Sequence, residues 1–128
     1  MEKHFVTYKQ ALALKEIGFD APCLYSYYQD GTIASELKSI NWNLSDTLCS
    51  APIKSQVFEW ARKEHVLYHI VHQFEHKKNT TEEFLSEVSG KLLMGNDDIS
   101  GFSYHSTYEE AESACIDNLI EIVKSKKQ

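Results

Sequence analysis

Apolar residues recur every three or four positions in three stretches of the chain. In most of the remainder they alternate with polar residues or form short aromatic and β-branched runs. The first pattern is that of a helix with one buried face, the second that of strands. The helical stretches are about 7–18, 51–65 and 107–124. In the first, Tyr8, Ala11, Leu12 and Leu14 supply the apolar side, and Thr7 with Gln10 forms a capping-box pair. Gly18 stands where a left-handed residue ends a helix, and Phe19 can fold back on Leu14. In the second, Ser50 is the expected cap and Pro52 fits the first turn. Ile53, Val57, Trp60 and Ala61 share its apolar face; Lys54, Glu59, Arg62 and Lys63 take the other. In the third, Thr107 and Glu110 are the capping pair, and Tyr108, Ala111, Cys115, Leu119 and Ile122 make the stripe.

Between the helices the pattern predicts strands. Cys23 to Tyr28 is aromatic and strand-favouring, and the Asp30-Gly31 pair signals a hairpin whose return strand is Ile33 to Leu37. Residues 38–49 show little periodicity and read as a loop, with Trp42 laid over the core. Segment 67–75 carries Tyr68, Ile70, His72 and Phe74 on one parity and Leu67, His69 and Val71 on the other. As a helix, Leu67, Val71 and Phe74 would continue the stripe of the second helix. A central strand is the favoured reading of the two, because β-branched and aromatic residues dominate the segment. Phe84 to Val88, Ser89-Gly90 and Lys91 to Met94 read as strand, turn, strand, followed by an acidic loop from Gly95 to Asp98. The predicted fold is a single α+β domain, three helices packed on an antiparallel sheet of four to five strands.

Composition narrows the function classes. A chain of 128 residues with 42% hydrophobic and 25% charged residues can bury an ordinary core without staples. Its net charge of −6 lacks the basic footprint of non-specific nucleic-acid binding, so no nucleic-acid partner is expected. No apolar run approaches the ~20 residues of a membrane span, and no membrane partner is expected. The segment Met1 to Phe5 lacks the apolar stretch of a signal peptide. Cys23, Cys49 and Cys115 are odd in number and widely spaced, which points to reduced thiols and a cytoplasmic location.

Three groups of residues carry candidate chemistry. His65, His69, His72 and His76 are spaced four, three and four apart. On a continuous helix they would share a face and could hold zinc, whereas on a strand His69 and His72 fall on opposite faces. The rival to a metal site is a half-buried histidine-rich strand. Tyr25, Tyr27 and Tyr28 with Trp42 form the second group: aromatic rings with polar tips suit a ligand cleft or a protein interface, or else a core with a wet rim. The third is Cys49, placed before the second helix, where the helix dipole would favour a thiolate. It has no histidine near it in sequence.

Three stretches resemble a family of small uncharacterised proteins from Bacteroides- and Flavobacterium-type bacteria and their phages. They are Tyr8 to Cys23, Ala51-Pro52 through Phe58-Glu59-Trp60, and Tyr108 through Lys124. The family's usual pattern has Tyr-Gly between the second helix and the following strand; this chain has His65-Val66 there. The resemblance implies a bacterial or phage cytosolic setting and carries no activity or catalytic residues with it. The expectation is therefore a non-enzymatic binding protein, an accessory factor of a phage or mobile element that engages a host protein or small ligand. The alternatives are a small metal-dependent hydrolase using His65 to His76, and a structural homo-oligomer subunit.

Overall fold

The computed structural model describes residues 4–73, 84–91 and 98–126. The fold class is α+β, with three helices and two antiparallel sheets. The chain divides into two compact units, residues 1–60 and 61–128.

The first unit holds α1 (Tyr8–Glu16), β1 (Cys23–Tyr27), β2 (Ile33–Ile40), a 3₁₀ turn over Trp42–Leu44, β3 (Cys49–Ser50) and the start of α2 (Lys54–His65). Helix α1 is capped as its sequence dictates. Thr7 Oγ1 accepts from the Gln10 amide at 3.1 Å, and the Gln10 side chain accepts from the Thr7 amide at 2.9 Å. At its far end Gly18 has φ 95°, its amide bonds to the Lys15 carbonyl, and the Phe19 amide bonds to the Leu14 carbonyl. This pair of bonds is a Schellman closure, and it turns Phe19 inward, where both Phe19 and Leu14 are fully buried. Phe19 meets Trp60 edge to face at 5.2 Å, and the Trp60 indole N–H donates to Asp20. Burial of rings of this size contributes on the order of 2–3 kcal/mol each.

The sheet order is β2-β1-β3. The hairpin turns where Asp-Gly predicts it. Gly31 takes φ 86°, and the Asp30 carboxylate accepts from the Thr32 amide at 2.9 Å and hydroxyl at 2.6 Å. The return strand runs three residues past the expected Leu37, and a register shift between Cys23 and Tyr25 absorbs the extra length. The expected loop at 38–49 holds the end of β2, the 3₁₀ turn and the first residue of the short strand β3. Ser50 is therefore a strand residue and not a helix cap: its hydroxyl accepts from the Trp42 amide. Helix α2 begins later, at Lys54, where the Gln56 side chain reaches back to the Ile53 amide. Val57, Trp60 and Ala61 are buried as the periodicity predicts and Lys54 and Phe58 join them, while Ile53 stands before the helix at the edge of exposure.

The second unit holds the end of α2, β4 (Leu67–Gln73), β5 (Phe84–Lys91), β6 (Asp98–His105) and α3 (Tyr108–Lys126). Val66, which stands where the resembled family has glycine, joins α2 to β4 at φ 53°, a left-handed conformation that glycine favours. The sheet order is β4-β5-β6 in unbroken antiparallel register. Ser89 and Gly90, expected as a turn, run straight through β5. The expected loop from Gly95 lies outside the described residues up to its last position, Asp98, which is the first residue of β6, a strand the pattern does not predict. The expected strand end at Met94 lies outside the described residues. Helix α3 packs across all three strands, burying Ala111, Cys115, Ile116, Leu119, Ile120 and Val123. Tyr108, placed on the buried stripe by periodicity, is largely exposed and packs its ring on Phe84.

Among the described residues, two sheets of three strands stand in place of the expected single sheet of four to five. In the second sheet each strand pairs with its neighbour in sequence, in the first β1 pairs with both β2 and β3, and α2 falls between the two sets along the sequence. Alternation of side chains identifies a strand but carries no information on its neighbours.

Candidate functional site: an aromatic cleft in the first unit

Strand parity puts Tyr25 and Tyr27 on the same face of β1, and pairing sets Ile33 directly opposite Tyr27. Two further segments rise around that face. Residues Phe5 and Val6 run beside the lead into α2, with Phe5 bridged to Ile53 and the Val6 amide bonded to the Pro52 carbonyl. The first residue of α1, Tyr8, stands over the hairpin turn. Together they enclose an open-mouthed cleft of about 780 Å³, lined by Phe5, Val6, Tyr8, Tyr25, Tyr27 and Ile33, with Thr7, Gly31 and Thr32 at its polar side.

Specific bonds hold the walls. Tyr27 is buried and donates its hydroxyl to the Val6 carbonyl at 2.6 Å, which fixes the Phe5–Val6 segment to β1. Tyr8 donates to the Gln29 carbonyl at 3.2 Å and packs against the Tyr27 ring at 5.4 Å. A Cβ on Gly31 would stand 3.4 Å from the Tyr8 ring, so the turn and the ring are in close contact there. Phe5 and Tyr25 meet edge to face at 4.9 Å. Tyr25 is half-buried and Tyr27 is support, so the two adjacent rings have different tasks. Asp30 is fully exposed beside the lining residues, and its bonds from Thr32 hold the carboxyl below the usual carboxylate range.

Of the four aromatic residues singled out in the sequence, two line this cleft. Tyr28 has the opposite parity, is 47% exposed and does not line it. Trp42 does not line it either: its indole N–H donates to the Cys23 carbonyl at 2.7 Å, which ties the 3₁₀ turn to β1. Phe5 and Tyr8 were missed. The signal for Tyr8 was present, since the Thr7 cap fixes it as the first helical residue, but its contact with the turn is tertiary. The sequence shows no signal for Phe5.

The second unit contains a polar cluster that the sequence reading also missed. Ser86 and Ser103 are paired across β5 and β6, and His105 follows two residues on, on the same face. The Ser86 and Ser103 hydroxyls are 2.9 Å apart, and Ser103 Oγ lies 2.6 Å from His105 Nε2. This is the reach of a base to a hydroxyl. Ser86 is fully buried, however, and among the described residues no carboxylate is hydrogen-bonded to the His105 ring. Beside the cluster the Cys115 thiol is pushed up to about 11 by burial, so it stays protonated. The arrangement satisfies buried polar groups beneath α3 and lacks the third member of a nucleophile–base–orienter set.

The histidine segment does not form the helix that a shared metal site required. Helix α2 ends at His65, and positions 69 and 72 fall on opposite parities of β4; His76 lies outside the described residues. His69 has its pKa lowered by burial and then by Arg62, which favours a neutral ring. Among the described residues no three potential ligands converge on a metal position. Cys49 does not precede a helix: it is buried in β3, and burial raises its thiol pKa in spite of Lys15. Lys15 itself donates to the Ser45 and Leu48 carbonyls.

Among the described residues, no helix is long and apolar enough to cross a membrane. Comparison of the chain with protein-family models, with curated proteins and with solved structures finds no match.

Proposed function

We propose that this protein is a non-enzymatic binding protein whose aromatic cleft in the first unit receives the apolar part of a small ligand. The observation that carries this reading is the cleft itself, with a half-buried Tyr25 held between supporting contacts. Small-ligand sites are concave, mostly apolar, of about 300–1,000 Å³, and carry a few fixed polar groups. The sequence resemblance suits an accessory role in a bacterial or phage cell, and the cytoplasm is the location this reading assigns.

Titration of the protein, ¹³C-labelled at its tyrosine rings, with a small neutral aromatic such as phenol tests it. Saturable shifts at Tyr8 and Tyr25, lost in Tyr25→Ala, are expected. Shifts confined to Tyr68 and Tyr104 would move the reading to the exposed face of the second sheet, through which a homo-oligomer subunit would join its copies. Light scattering then distinguishes that rival: the cleft reading does not require association.

A further inference from the structure

The cleft's chemistry selects among ligands. Among the described residues, four that line it are aromatic, and none is basic. An aromatic ring carries negative charge density on its face, so a cleft walled by rings favours a cation over an anion. An anion would meet no Lys or Arg among the described lining residues. Asp30 is not itself a lining residue, but it precedes the lining residues Gly31 and Thr32 in the turn and supplies a negative charge beside them. One of its oxygens is held by the Thr32 amide and hydroxyl, and Thr32 is itself a lining residue. The chain's net charge of −6 adds a favourable field for a positively charged ligand. The volume argues for more than a bare ion: about 780 Å³ holds an organic body as well as a charge.

We propose that the cleft binds a small organic cation, an alkylammonium whose methyl or methylene groups lie among Phe5, Tyr8, Tyr25 and Tyr27 and whose charge is answered by Asp30. This rests on the reading of the cleft as the binding site and adds the ligand's class to it. A metal ion is not the match, since the lining offers hydroxyls and rings and no set of carboxylate, imidazole or thiolate ligands. A quaternary ammonium suits such walls best: it has no N–H groups to satisfy, and its charge is spread over methyls that rings can touch.

The test uses choline and its neutral carbon analogue, 3,3-dimethylbutan-1-ol, which differ at the central atom and therefore in charge. Binding is read from the tyrosine ring shifts of the full chain. Choline is expected to shift Tyr8 and Tyr25 saturably and to bind at least about 10-fold more tightly than the neutral analogue, within the span of a cation–π site. Asp30→Asn keeps an oxygen to accept from Thr32 and removes the charge; it is expected to weaken choline several-fold and leave the neutral analogue unchanged. Tyr27 ring shifts in the unliganded variant confirm that the hairpin is intact. Equal affinity for the two probes at those rings, or no effect of Asp30→Asn on choline, overturns the cation assignment and leaves the cleft reading standing. Shifts that map to Tyr68 and Tyr104, or to no tyrosine, overturn both.

Discussion

Each unit of this protein places tyrosines on one face of a sheet, Tyr25 and Tyr27 along β1 in the first and Tyr68 and Tyr104 on β4 and β6 in the second, and the outcome differs. In the first unit Tyr25 and Tyr27 look onto a face that two distant segments enclose. Tyr27 is 8% exposed and bonded to Val6, twenty-one residues away. In the second unit α3 covers one face of the sheet, and the other carries Tyr68 at 51%, Ile70 at 47% and Tyr104 at 50% exposure. Both faces are built by strand alternation of large side chains. What differs is the neighbouring backbone: a capped helix start and a turn rise around the first face. The face of Tyr68, Ile70 and Tyr104 is left exposed. A flat face offers a ligand contact on one side only, whereas a cleft removes most of a ligand's surface from water.

The largest expected effect lies in Tyr27. If it is the support of the cleft, Tyr27→Ala loses about 3–5 kcal/mol of stability in urea melts, as a buried ring does. Tyr27→Phe loses about 1–3 kcal/mol, because the Val6 carbonyl is left without its donor. A midpoint unchanged by Tyr27→Ala would erase the contrast with the exposed tyrosines of the second unit. Next comes Ser86 in the second unit. Ser86→Ala removes a buried hydroxyl that Ser103 and His105 face, and is expected to lower stability by about 1–3 kcal/mol by the same melts.

Val66 gives an effect of opposite sign. A β-branched residue at φ 53° is strained by about 1–2 kcal/mol, so Val66→Gly is expected to raise the urea midpoint in spite of glycine's greater freedom when unfolded. A fall would show that the junction is not strained. The thiols sharpen the comparison by pH. Cys23 in the first unit and Cys115 in the second are both raised from 9.0 to about 11 by burial. The unfolded chain loses these protons first, so stability is full below pH 9 and falls as pH rises from 9 toward 11. Cys23→Ala and Cys115→Ala should each flatten part of that decline in alkaline melts. The smallest effects belong to Tyr28→Ala and Tyr68→Ala, expected within about 0.5–1 kcal/mol of the parent, as exposed positions are.

Local chemistry was legible in the sequence wherever one residue pair decides it. The Thr7–Gln10 box, the Gly18–Phe19 closure, the Asp30-Gly31 turn and the Thr107 cap all stand where the residues require. Boundaries failed where a tertiary bond outbid a local one. Ser50 reads as a cap, but its hydroxyl is taken by the Trp42 amide, and the helix starts four residues on. Strand β6 failed for another reason: Gly101 and the serines around it give it little of the apolar alternation that marks a strand. Half of the cleft was visible, because Tyr25 and Tyr27 share a parity that needs only the strand. The other half was not, because Phe5 and Tyr8 reach it through contacts that span some twenty residues.

The central claim is that Tyr25 serves binding while Tyr27 serves the fold. The most direct test measures both properties on one variant, Tyr25→Ala: its urea midpoint and its affinity for choline. The account predicts at least about a 10-fold loss of affinity, with a stability loss no larger than about 1.5 kcal/mol, the worth of the edge-to-face pair with Phe5. A loss of 3 kcal/mol or more, the range of about 3–5 kcal/mol for a buried ring, with choline affinity unchanged in the folded fraction, would contradict it.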